Sequence, residues 1–279
     1  RDSSTSRGLG DVYKRQGPFG AGTIFGNKTP SINLLKTGLY LKKYRLGQWL
    51  SSFNTYFEPN ISKNWGGMKM FIDLKIGIDD EKLKWVYSAF ESNTKEILDY
   101  AHQANVKVIL STAASNLRDS APFASLGNGI SQNAQAAFNK AKQLEHIGDI
   151  KEARKYYLQA LDLDALRFRT DSNLRNITFN AARDSEADVV IIDAQAELDK
   201  LSPNGISGHE FFFEHVHFTF RGNYNISMLF ADRIANIIES NGITAKGEWL
   251  TIDNCMKAIS YTDWDKMLVY SIIEKRIQQ

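Results

Sequence analysis

Apolar residues along the chain follow two alternating patterns, one with helical spacing and one with uninterrupted apolar runs. An amphipathic segment from about 80 to 105 leads into the run VKVIL at 106–110. A second helical segment, from about 171 to 184, leads into ADVVIID at 187–193. Short continuous apolar strands that follow helices are typical of parallel strands buried on both faces. The pattern therefore predicts an α/β fold with a parallel sheet covered by helices.

A pair of helices is predicted between these two units, over about 133–146 and 150–163. The pair carries small and aromatic residues at the spacings of a tetratricopeptide-like hairpin, namely Gly148, Ala153, Tyr157 and Ala160. One such unit cannot bury its own apolar face, so we expect it to pack on the sheet domain or on partner helices. An ordinary helical hairpin with a chance match is the alternative.

Composition and charge narrow the classes of function. The 279 residues are 43% hydrophobic, and 34 Lys and Arg nearly balance 32 Asp and Glu. The chain therefore lacks the basic excess of a nucleic-acid-binding protein. Its single cysteine excludes an internal disulfide framework and a thiolate-rich zinc cluster. The longest apolar runs, such as VVII at 189–192, fall far short of the ~18 residues of a membrane span, so none is predicted.

Polar residues gather in the two loops that follow the predicted strands. The loop after Leu110 reads STAASNLRDSAPF, and the loop after Asp193 includes GHEFFFEHVHFTFRGN. Ligands of an open parallel sheet bind beyond the carboxyl ends of the strands, because these loops converge there. The first loop offers Asn116 and Arg118 as candidate substrate contacts, with loop capping as the alternative role.

Three of the five histidines lie within nine residues of the second loop, and three interpretations compete. Glu214 and His217 form an E-x-x-H pattern in which a carboxylate orients an imidazole that acts as a general base. Alternatively His209, His215 and His217 bind a metal, although no HExxH motif is present. In the third interpretation the phenylalanines of this loop belong to the core and the histidines lie at its margin. The spacing alone leaves all three open.

The segment LRFRTD at 166–171 carries two arginines that could reach an anionic substrate. We place Arg167 and Arg169 on the helix that follows the predicted hairpin. The i, i+2 spacing directs two helical side chains to different faces, so at most one of them would face a substrate. We expect surface positions for both.

The segment FFFEHVHFTFRGNY at 211–224 resembles the last conserved block of the SGNH (GDSL-type) hydrolases, a D-x-x-H just before the final helix. VKVILSTAASNLRDSAPFAS resembles the strand and loop of a branch with tetratricopeptide-like helices, and GPFGAGTIFG, WGGMKMF and LRFRTD resemble further segments of that branch. The resemblance covers most of residues 17–245. It implies a flavodoxin-like three-layer sandwich with a parallel sheet and an inserted helical hairpin. It also implies that His217 is the catalytic base and Glu214 its orienting carboxylate, with Glu in place of the usual Asp.

The resemblance also divides the chain into segments. Residues 1–16 have no apolar face, and we expect them to be a non-native or disordered leader. Residues 17–124 and 171–245 would be the two parts of the SGNH-like domain. Residues 125–170 would be the tetratricopeptide-like insertion, and 246–279 a C-terminal helical tail.

The implied reaction is the hydrolysis of an ester, such as an O-acyl group on a carbohydrate, by a nucleophilic serine. The GDS-like serine block and the Asn block of such enzymes are not found in this sequence, so we expect a truncated, nearly inert piece of a parent hydrolase. We expect an ester-bearing small molecule or carbohydrate as substrate, with no cofactor and no metal. An extracytoplasmic or membrane-anchored parent is compatible with the resemblance. The alternative is an inactive scaffold that binds protein partners through the helical hairpin.

Overall fold

The computed structural model describes residues 75–127, 132–244 and 247–277, together with isolated positions between 37 and 49. The chain divides into two compact units, Arg1–Leu74 with Gln279 and Lys75–Gln278, and the second holds the strands and helices described below. The predicted leader and the segments GPFGAGTIFG and WGGMKMF lie outside the described residues.

The second unit is a mostly helical α/β structure with two parallel strands. The strands are β1 (Val108–Ser111) and β2 (Val189–Ile192). Eight α-helices accompany them in the described residues of this unit: α1 Glu81–Gln103, α2 Ala134–His146, α3 Ile150–Leu163, α4 Ser172–Asp184, α5 Ala194–Lys200, α6 Phe220–Ser240, α7 Ile252–Ala258 and α8 Asp263–Ile277. A 3-10 helix, Pro203–Gly205, follows α5.

The two predicted helix-then-strand units are both present. Asp80 caps α1 by accepting a hydrogen bond from the N–H of Lys82 at 2.8 Å, and Asp171 caps α4 through the N–H of Leu174 at 3.0 Å. Such caps satisfy backbone donors that have no partner within the helix. The strands after these helices pair in parallel, with Val108 beside Val189. The prediction of a parallel sheet is thereby confirmed for two strands.

Helices α2 and α3 form a packed pair at the predicted positions, joined by a short turn at Gly148. This glycine adopts a φ of +83°, which residues with a side chain rarely adopt. The rings of Phe138 and Tyr157 meet edge to face with centroids 5.4 Å apart. The buried core of the pair also includes Leu117 and Ile206, from loops outside it. The pair therefore buries its apolar face partly against the rest of the unit.

Helix α6 begins directly after the histidine-rich loop. The Thr219 hydroxyl caps it by accepting from the N–H of Gly222 at 3.1 Å. Two helices, α7 and α8, follow residue 246, in the segment where a helical tail was predicted. Within the described part of the chain, none of the helices is long and apolar enough to cross a membrane.

Candidate functional site

The structure brings the polar loop that follows β1 together with the segment that holds the three histidines. That segment was predicted to lie in a loop directly after β2, but helix α5, which Asp193 caps, comes between them. Asn116, in the loop after β1, is fully buried and donates from its backbone N–H to the carbonyl of His215 at 2.9 Å. Its side-chain amide donates to the carbonyl of Glu214 at 3.0 Å. We call the segment 209–217 the histidine loop. Its backbone is therefore held by the loop that follows β1.

The carboxylate of Glu214 lies at the centre of the histidine loop. One oxygen, Oε1, contacts Nδ1 of the His217 imidazole, and the other, Oε2, contacts Nδ1 of the His215 imidazole. The same carboxylate accepts backbone N–H groups of His217 at 2.8 Å, His215 at 2.5 Å and Val216 at 3.3 Å. An ionised carboxylate is an acceptor with room for several donors, and this arrangement uses both of its oxygens. The longer side chain of Glu folds back onto its own loop to make these bonds.

The two imidazoles that share Glu214 differ in their exposure. The His217 side chain is 51% exposed, whereas that of His215 is 14% exposed. In His217, Nδ1 faces the carboxylate, so Nε2 is the ring nitrogen that would exchange a proton with a reacting group. A half-exposed imidazole held by a carboxylate has the arrangement of a general base.

The His215 imidazole is packed among aromatic rings. Its centroid lies 4.8 Å from that of Phe123 and 6.3 Å from that of Phe168, both in edge-to-face geometry. Burial lowers the pKa of His215 to about 3, and the positive charges of Arg169 and His217 act in the same direction. This imidazole is therefore neutral at physiological pH, and it donates to Glu214 through Nδ1–H.

Asn116 and Arg118, the predicted substrate contacts, bond to protein groups in this structure. The Asn116 side-chain oxygen accepts from the N–H of Asp119 at 2.8 Å, which is a loop-capping bond. The Arg118 guanidinium donates to Glu210 at 2.5 Å, to Asp119 at 3.1 Å and to the carbonyl of Ile206 at 3.1 Å. These bonds fit the capping alternative for both residues, and contact with a substrate stays a prediction.

The expectation of surface positions for Arg167 and Arg169 was wrong. The segment LRFRTD is not helical but precedes α4, and the two arginine side chains are only 5% and 3% exposed. Each of them pairs with a buried carboxylate, Arg167 with Asp171 and Arg169 with Asp164, both at 3.1 Å. The prediction failed because the i, i+2 reasoning assumed a helix. The acidic residues near the two ends of LRFRTD were the signal that could have indicated ion pairs.

Arg169 also binds the loop that follows β1. It donates to the carbonyls of Ser120 at 2.9 Å and Asn116 at 3.2 Å. Its partner Asp164 accepts the N–H groups of Phe123 at 3.0 Å and Ala124 at 3.1 Å. One buried ion pair thus positions both the loop that holds Glu214 and the aromatic ring that packs on His215.

A second buried polar network, which the sequence did not indicate, connects the loop after β1 to α5. The amide of Gln195 accepts from the N–H of Ser115 at 2.8 Å and donates to the hydroxyl of Ser207 at 2.7 Å. It also donates to the carboxylate of Asp199 at 3.0 Å. Buried polar groups that all find partners make a loop rigid. The start of the β1 exit loop is therefore tied to the start of α5.

The metal interpretation finds no ligand set among the described residues. In those parts of the chain, no three side chains of His, Cys, Asp or Glu are grouped so that they could hold a metal ion. The Nδ1 atoms of His215 and His217 face Glu214, while Nδ1 of His209 lies 3.4 Å from the side-chain amide of Asn116.

Comparisons with family models, with curated proteins and with solved structures find no match to this chain. The function is therefore inferred from the geometry of the site and from the sequence motifs.

Proposed function

We propose that this chain carries the general base of an ester hydrolase of the SGNH type, which residues 211–224 resemble. One observation supports this proposal above all, the contact between the Glu214 carboxylate and Nδ1 of the half-exposed His217 imidazole. In serine hydrolases a carboxylate in this position selects one imidazole tautomer and stabilises the imidazolium that forms during the reaction.

In the proposed reaction, Nε2 of His217 takes the proton of a serine hydroxyl while the serine oxygen attacks the ester carbonyl. The tetrahedral intermediate collapses, the alcohol leaves with the proton from the imidazolium, and the acyl group stays on the serine. Water, deprotonated by His217, then attacks the acyl carbonyl, and the serine oxygen leaves with the proton from the imidazolium as the acid is released. The GDS-like block is not found in this sequence, so the proposal includes a nucleophilic serine on a segment of a longer protein. The substrate class, an O-acyl group on a carbohydrate, rests on the family resemblance.

The proposal extends to the fold. We infer that β1 and β2 belong to a flavodoxin-like sheet between helical layers, and that α2 and α3 are a tetratricopeptide-like insertion. The parallel pairing supports the first inference, as does the bond between the loop after β1 and the histidine loop, which follows α5. The positions of Gly148 in the turn and of buried Ala153, Tyr157 and Ala160 support the second.

The test uses the longer reading frame that contains this sequence, expressed whole and assayed with p-nitrophenyl acetate. We expect His217→Ala to lower turnover by roughly a thousandfold or more, since residues that act as one unit lose most of their effect together. The matched control is His102→Ala, because His102 is also about half exposed but lies on α1 and bonds to the carbonyl of Glu186.

Both variants should unfold at the temperature of the unsubstituted protein. Turnover that survives His217→Ala would contradict the proposal. A protein without turnover, in which no serine reacts with a fluorophosphonate, would favour the scaffold alternative instead.

A further inference from the structure

We propose that His215 is a positioning residue, which orients the general base His217 by holding the carboxylate that the two imidazoles share. This role rests on the proposed function. The structure supports it with the two contacts of Glu214, in which Oε2 faces Nδ1 of His215 and Oε1 faces Nδ1 of His217. A carboxylate that is bonded on both oxygens cannot turn away from either ring without losing a hydrogen bond.

The surroundings of His215 explain why its polar edge matters more than its bulk. The rings of Phe123 and Phe168 pack edge to face against the imidazole. A phenylalanine side chain at position 215 would pack there without burying a polar group. Burying an imidazole there costs free energy unless its nitrogen gains a hydrogen bond. The bond to Glu214 is the compensation that the structure provides.

Burial and the neighbouring positive charges keep His215 out of the proton transfer itself, and they outweigh the Glu214 carboxylate, which favours the protonated imidazole. Glu214 from its own loop, Arg169 from the segment before α4 and His217 are the titratable and charged groups that face it. Burial, Arg169 and His217 together hold its pKa far below the usual 6.5. The ring therefore remains a neutral donor over the pH range in which an exposed imidazole titrates. In this proposal His215 is a constant hydrogen-bond donor and His217 is the proton acceptor.

Two substitutions separate this role from simple packing. His215→Phe keeps a ring in the pocket of Phe123 and Phe168 and removes the donor. His215→Asn shortens the side chain but places an amide N–H close to where Nδ1 stands. If the hydrogen bond is what matters, the Asn variant retains the orientation of His217 and the Phe variant loses it, whereas simple packing gives the reverse order.

The first measurement is a long-range ¹H–¹⁵N spectrum of the 279-residue chain, which reports the tautomer of each imidazole and requires no activity. We expect the Nδ1–H tautomer for both His215 and His217, with the His217 signals assigned by their loss in His217→Ala. In His215→Phe the His217 signals should shift toward a mixture of tautomers, and in His215→Asn they should stay near their original positions. An Nε2–H tautomer of His215 in the unsubstituted chain would overturn the proposal even if neither variant folds.

The second measurement is turnover by the longer protein. We expect His215→Phe to lower kcat by about tenfold to a hundredfold at unchanged KM, the effect of one hydrogen bond to a charged group. His215→Asn should recover most of that loss. Equal turnover in both variants and the unsubstituted protein would refute the positioning role while leaving His217 as the base. A shift of tautomer together with turnover that survives His217→Ala would instead refute the proposed function and leave the orientation of the ring by His215 standing.

Discussion

The side-chain amide of Asn116 donates to the backbone carbonyl of Glu214 at 3.0 Å, across a sequence separation of 98 residues. Asn116 is fully buried, so this bond is made out of contact with water. It holds the backbone of the one residue whose carboxylate contacts both imidazoles. The loop after β1 therefore fixes the position of the Glu214 backbone. Through the Glu214 carboxylate it also fixes the position of the proposed base.

Replacing the Glu214 carboxylate by an amide should disable the proposed base. Glu214→Gln leaves one acceptor oxygen for two imidazole donors and puts an NH₂ group against one of them. We expect kcat of the longer protein to fall by roughly 10³- to 10⁴-fold, as for other catalytic carboxylates that orient an imidazole. Turnover of p-nitrophenyl acetate measures this, with Glu186→Gln as the control because the Glu186 side chain is 86% exposed. Equal turnover in the two variants would remove Glu214 from the mechanism.

The buried ion pair of Arg169 and Asp164 should dominate the stability of the site. Arg169→Met leaves a buried carboxylate without its cation, and the carbonyls of Ser120 and Asn116 lose a donor. We expect the free energy of unfolding to fall by about 3–5 kcal/mol. Urea unfolding followed by circular dichroism measures the change.

The control for Arg169→Met is Arg183→Met, which breaks an ion pair with Asp184 whose arginine side chain is 70% exposed. This variant should be indistinguishable from the unsubstituted chain, because exposed pairs contribute little. A loss of stability in both variants alike would show that the burial of Arg169 is not the cause.

Two carboxylates should make the chain less stable in acid. Burial by itself would raise the pKa of Asp119, but the N–H of His209, Arg118 and Lys142 outweigh it and hold the pKa below its ordinary 3.8. The pKa of Asp193 is likewise lowered, since Arg175, the N–H of Ala196 and the Thr112 hydroxyl outweigh burial. The unfolded chain therefore binds protons more readily than the folded one, and stability is lost as the pH falls below about 4.

The urea midpoint, measured from pH 7 down to pH 2, should decline below about pH 6.5, where the unfolded chain protonates His215 and the folded chain does not, and should decline further below about pH 4, where the two carboxylates act. Asp119→Asn should be less stable at pH 7, where the ionised carboxylate forms its bonds to Arg118 and Lys142. The variant should also show a weaker dependence on pH. A midpoint difference between the two proteins that is constant over the whole range would contradict the assignment.

The close packing at the start of α6 should exclude any side chain at Gly222. A Cβ added there would overlap the carbonyl oxygen of Phe211 and would lie 2.9 Å from the ring of Phe218. We expect Gly222→Ala to lower the free energy of unfolding by about 1–3 kcal/mol, the usual cost of overpacking. Gly77→Ala is the control, because its Cβ would meet Leu126 at an ordinary 3.7 Å. Unfolding midpoints that agree for the two variants would show that the contact at Gly222 relaxes freely.

The sequence by itself determined the elements whose signals are local. Helix α3 was predicted at its observed bounds, Ile150–Leu163. Its apolar residues recur with the helical period from the turn at Gly148 as far as Leu163. The two short apolar runs predicted parallel strands for a similar reason, since their character is contained in a few consecutive residues. The gathering of histidines in one loop was visible in the same way.

Only the tertiary structure decided how those histidines are used. His215 and His217 are alike in the sequence, but Phe123 and Phe168 bury the first, and both come from distant parts of the chain. Arg169 was placed on the surface by its spacing and is buried in the structure, because Asp164 compensates its charge. Burial and charge compensation depend on which residues from distant parts of the chain come into contact. A local sequence pattern does not specify those contacts.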